Sequence, residues 1–178
     1  YDYVLDLLDR CYFPTREGVA NFHDNFVDAL ILAGEEKIAE GKVEQALTLY
    51  KKAFTYPENH QVFLVDERAT HDAQINYCLG EAYAALGQDA EAEKYWKLAA
   101  EQDYELKGSK DFRYWTGLAL ERLGRKAEAE AIFSALVADG EAAVVTQHVN
   151  FYGAEGTTGV TVDIINSAAY YTQALGHL

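Results

Sequence analysis

Cysteine and proline occur only twice each in the 178 residues, and methionine not at all. Cys11 and Cys78 are too few for a disulfide framework and too far apart for a zinc motif, which points to reduced thiols in a cytoplasmic compartment. Cys78 falls within a helical pattern, where a small buried apolar residue is expected. No apolar run is long enough to span a membrane, and no signal peptide is visible. Basic residues are also scarce. Fifteen face 29 acidic ones, for a formal charge of −14, and none follows Lys126. Such a chain is a poor partner for nucleic acid or an anionic membrane, and its acids are read as solvated helix faces. Serine is confined to Ser109, Ser134 and Ser167, none of them in a nucleophile elbow. The chain opens at Tyr1 without a methionine, as a piece cut from a longer protein would.

What is abundant is repetition. Around Gly87 stand Leu79-Gly80-x-x-Tyr83, then Ala92, Trp96 and Ala99. The same offsets around Gly124 give Thr116-Gly117-x-x-Leu120, Ala129, Phe133 and Leu136. Around Gly41 they give Ala33-Gly34-x-x-Lys37, Ala46, Tyr50 and Ala53. Small residues at 34, 80 and 117 let one helix lie close on the next, and the aromatic of the second helix fills the remaining space. The glycine between the helices supplies a left-handed turn. This pattern resembles the tetratricopeptide repeat. The resemblance implies an all-α, right-handed superhelix of antiparallel helix pairs, and a binding role.

Along the chain, residues 3–10 read as a helix ended by Pro14 and Gly18. Helices are expected at about 19–40 and 43–56, stopping before Pro57, then at about 70–86, 89–103, 110–123 and 126–139. The repeats thus span about 27–57, 73–103 and 110–139 of a single domain. The turn glycines at 41, 87 and 124 lie 46 and 37 residues apart, against roughly 34 for a bare repeat. Long inter-repeat loops are therefore expected at 57–68 and 105–109. After Gly140 a β-branched and aromatic segment carries Gly153, Gly156 and Gly159, and reads as a long ordered loop. A last helix at about 162–175 stops at Gly176, which, placed at the turn position, makes 162–178 a half repeat.

A second likeness rests on Phe13-Pro14-x-Arg16-Glu17-Gly18, the long helix behind it, and Tyr56-Pro57-Glu58-Asn59. With the two standard repeats, these resemble the C-terminal repeat region of large bacterial proteins that carry an uncharacterised, sugar-enzyme-like β-rich domain ahead of it. The likeness covers about residues 5–139, and more loosely Phe151-Tyr152. Thr15 replaces the family's tryptophan, and the loop after Gly153 diverges. It implies that the chain accompanies a carbohydrate-related module without itself acting on sugar.

Residue chemistry points away from catalysis. Histidines 23, 60, 71, 148 and 177 have no zinc-ligand spacing, and no phosphate-cradling glycine loop follows a βαβ unit. Among 29 acids some pair will always meet glycosidase spacing, so such a pair says little. No cofactor or metal is expected. By offset, the inner face of the stack carries Asp28, Ile31, Leu32 and Glu35, then Gln74, Tyr77, Cys78 and Glu81. It continues with Asp111, Tyr114, Trp115, Glu121 and Arg122, and ends at Asp163, Asn166, Ser167 and Tyr170. The binding candidates are Tyr77, Glu81, Asp111, Tyr114, Trp115, Arg122 and Tyr170, an aromatic track flanked by acids. With Arg122 the only base there, a clamp for a C-terminal carboxylate is missing. The expected function is a non-catalytic protein-interaction or inter-domain scaffold, its partner the β-rich domain of the same parent. A carbohydrate-binding role, with Trp115 and the tyrosines stacking on sugar rings, is the alternative.

Overall fold

A computed structural model describes residues 1–12, 22–60, 71–102, 112–144 and 166–178. Among these residues the chain is all-helical, with eight α-helices, one 3-10 turn at Glu58–His60 and no strand. The helices are α1 (Asp2–Arg10), α2 (Phe22–Ala39), α3 (Val43–Lys52) and α4 (Asp72–Ala85), followed by α5 (Asp89–Ala100), α6 (Arg113–Arg122), α7 (Lys126–Ala143) and α8 (Ser167–His177). The segment around Pro14, most of both inter-repeat loops and the aromatic loop at Phe151-Tyr152 lie outside the described residues. None of the described helices is long and apolar enough to cross a membrane.

The three helix pairs α2–α3, α4–α5 and α6–α7 close through one kind of turn. Gly41, Gly87 and Gly124 have φ of 74°, 69° and 74°. At the first, the Gly41 N–H donates to the Ile38 carbonyl and the Lys42 N–H to the Lys37 carbonyl, at 2.9 and 2.8 Å. This double closure satisfies carbonyls left open at the end of α2. Gln88 to Tyr83 and Arg125 to Leu120 repeat it, both at 2.9 Å. Lys42, Gln88 and Arg125 also open the following helices with no side-chain cap bond. The backbone turn, rather than a Ser or Asp cap, is what starts α3, α5 and α7.

Within each pair the packing repeats as well. A Cβ on Gly34 would overlap the Tyr50 ring, one on Gly80 the Trp96 ring, and one on Gly117 the Phe133 ring. Ala46, Ala92 and Ala129 are buried on the second helices. Phe26, Leu30, Ile75 and Leu79 are fully enclosed where α2, α3 and α4 meet. Each contributes on the order of 1.5–3 kcal/mol relative to exposure. Between later pairs, the Thr116 hydroxyl donates to the Ala99 carbonyl at 3.0 Å, and within the α6–α7 pair Arg113 meets Asp139 at 2.5 Å.

The two ends are built differently. At the N-terminal end, Asn59 Nδ2 donates to the Leu8 and Cys11 carbonyls at 2.7 and 2.8 Å, and His60 Nε2 to Leu8 at 2.9 Å. The 3-10 turn thereby caps α1 from a distance. At the C-terminal end the turn role expected of Gly176 is corrected. Gly176 is not a turn glycine: α8 continues through it to His177, and positive φ belongs to Gly41, Gly87 and Gly124 among the described residues. A Cβ at Gly176 would lie 2.5 Å from the Phe133 carbonyl oxygen, and one at Gly140 would lie 2.6 Å from the Gln173 nitrogen. These glycines let α7 and α8 approach closely. That contact also explains why α7 runs past Gly140 to Ala143 instead of ending near 139.

Candidate functional site

The first helices of the three pairs, with α8, surround a cavity of about 360 Å³. From α2 come Asp24 and Asp28, one turn apart and hence on the same face. His71, at the N-cap of α4, and Gln74, in its first turn, form the adjoining wall. Phe112, Tyr114 and Trp115 from the start of α6 supply the aromatic side, and Tyr171 and Leu175 of α8 close it.

His71 organises the polar wall. It is buried, its ring edge-on to Phe112 with centroids 4.4 Å apart. Its Nε2 lies 3.1 Å from Asp24 Oδ1, and its Nδ1 lies 3.3 Å from Gln74 Oε1. Burial pushes the imidazole pKa down. The hydrogen bond and charge of Asp24, with Gln74 and the charge of Asp28, outweigh it, and the pKa ends above the ordinary histidine value. With both ring nitrogens facing oxygen acceptors, the doubly protonated cation suits the site, and neither nitrogen is left to take a proton from a substrate.

Asp28 is the other half of the electrostatics. Burial raises its pKa, the nearby His71 charge lowers it and Asp24 raises it, for a net shift upward. Its carboxylate accepts no hydrogen bond from the described residues, although its tip reaches solvent. Among the described residues the cavity wall sets two carboxylates against one imidazole.

Next to the cavity lies a second, self-contained cluster. Arg122 donates to Glu81 Oε2 at 2.6 Å and shares a hydrogen bond with Tyr77. Tyr77 in turn sits against Trp115, with centroids 5.6 Å apart, and Trp115 meets Tyr114 at 5.4 Å. Burial raises the Tyr77 pKa, Glu81 raises it further, and Arg122 partly offsets both.

Of the seven residues expected from the sequence, Tyr114 and Trp115 line the cavity, while Tyr77, Glu81 and Arg122 form the internal cluster beside it. Tyr170 is 44 % exposed and is not part of the cavity wall, where its neighbour Tyr171 stands instead. The register differs because Ala169 and Gly176 turn toward α7. Asp111 lies outside the described residues. Ile31, Cys78 and Asn166, placed on the inner face by offset, are buried, and burial pushes the Cys78 thiol up to about 12. Asp24 and His71 were missed, since neither falls at an inner-face offset; the spacing of Asp24 from Asp28 was the available signal. Among the described residues, no three His, Cys, Asp or Glu side chains are placed to hold a metal ion. The chain matches no family model, no curated protein and no solved structure.

Proposed function

We propose that the chain is a tetratricopeptide-like scaffold that binds a protein segment in the recess lined by α2, α4, α6 and α8. The observation that carries this reading is the threefold recurrence of one hairpin, with the same glycine turn and the same glycine–aromatic contact each time. Repetition of a rigid unit lines up its first helices and gives a continuous surface, which suits recognition better than chemistry. The state of His71 supports a non-catalytic role, because both of its nitrogens are already engaged. Arg122 is held by Glu81 and Tyr77, which speaks against capture of a free carboxylate. In a longer bacterial parent of the kind the sequence resembles, a neighbouring β-rich domain would be the nearest source of such a segment.

A display library of random nine-residue peptides, a glycan array and a panel of chromogenic glycosides separate the readings. The scaffold reading expects peptides to be retained by the wild-type chain and lost from a folded Tyr114→Ala/Trp115→Ala variant. Glycan retention or glycoside turnover that disappears in the same variant would replace it with the carbohydrate reading.

A further inference from the structure

Asp28 borders the cavity with an exposed carboxylate whose pKa partial burial still raises. Asp24, one turn earlier, is hydrogen-bonded to His71, and Glu81 is paired with Arg122. Asp28 has neither kind of partner among the described residues, yet it borders a recess whose opposite side is aromatic. It also borders a second recess, between α1 and α2, lined by Val4, Leu8 and Leu32 and about 440 Å³ in volume. The carboxylate therefore lies where an aromatic-walled pocket meets an apolar one.

We propose that this recess takes the side chain of an arginine in the partner segment, with Asp28 as its counter-charge and an apolar neighbour of that arginine in the α1–α2 recess. Charge complementarity is the first reason: the described wall of the cavity carries two carboxylates and no lysine or arginine. The second is shape. A guanidinium is planar and weakly hydrated, and it stacks on aromatic faces more readily than an ammonium does. Tyr114 and Trp115, inclined at 70°, offer two such faces. A volume of about 360 Å³ holds one long side chain and not a folded element. Partial burial already shifts the Asp28 pKa upward, and the attraction of an arriving cation offsets that cost. The assignment rests on the scaffold reading and narrows it to one chemistry.

The test begins with nonapeptides selected from the display library on the wild-type chain. The best binder is resynthesised with citrulline, which is isosteric and uncharged, at each arginine in turn. One citrulline exchange should weaken binding at least about tenfold, as expected for a buried charge pair. Asp28→Asn should weaken the arginine peptide by a similar factor and remove the difference between the arginine and citrulline forms. The variant should melt no lower than the wild type, since it removes a desolvated charge. Binders indifferent to citrulline, or an arginine preference that survives Asp28→Asn, would overturn the arginine assignment and leave the scaffold reading standing. A selection that yields no binder would take both down.

Discussion

Gly87 has φ of 69° with open space where a Cβ would go, whereas Gly80 has no room for one beside the Trp96 ring. Substitution should separate the two requirements. Gly87→Ala strains only the backbone and should cost about 1–2 kcal/mol. Gly80→Ala overpacks the helix pair and should cost about 1–3 kcal/mol. Trp96→Leu should relieve the second substitution and not the first. Urea unfolding of the single and double variants gives the coupling energy, and equal coupling for both glycines would contradict the assignment. Both glycines are legible in the sequence because each constraint acts between residues of one hairpin and recurs at a fixed offset. Asp28 was legible only as an inner-face residue, since its missing partner shows only when every neighbour is in place.

At the scale of the element, the start of α4 depends on α2. The folded pKa of His71 lies above its ordinary value, so its contribution to stability is full below about 6.5 and is lost as pH rises through the folded value. Asp24→Asn removes the main upward influence and leaves burial opposed only by Gln74 and Asp28, so His71 should then titrate at a lower pH than in the wild type. NMR of the ring protons would follow both titrations; an unchanged midpoint in the variant would exclude Asp24 as the cause. Helix α1 depends on the 3-10 turn in a comparable way. Asn59→Ala leaves the Leu8 and Cys11 carbonyls without the amide donor, at a cost of about 1–2 kcal/mol. Amide exchange should show that loss in α1, with α4 to α7 unaffected.

For the molecule as a whole, α8 decides whether the cavity is closed. Gly176 and Gly140 hold it against α7, which places Tyr171 and Leu175 on the open side of α2, α4 and α6. Gly176→Leu should push α8 away at a cost of about 1–3 kcal/mol, and the binding of selected peptides should fall with it. Tyr171→Ala should weaken the same peptides while Tyr170→Ala leaves them unchanged. The reverse order would restore the register read from the sequence. The α8 register was not legible there because a glycine near a helix end looks the same whether it turns the chain or admits a neighbour.

By itself the sequence determined the three hairpins and their order. The turn glycine, the small residue before it and the aromatic after it act over short separations, and they need nothing beyond their own helix pair. Only the tertiary structure decided what the cavity is. His71 meets Asp24 across 47 residues of chain, and Arg122 meets Glu81 across 41. No periodic pattern links such positions. The same packing pairs Asp24 with His71 and Glu81 with Arg122, and gives Asp28 no such partner among the described residues. Charge balance at a site is a sum over neighbours from several helices, so it exists only once those helices have packed.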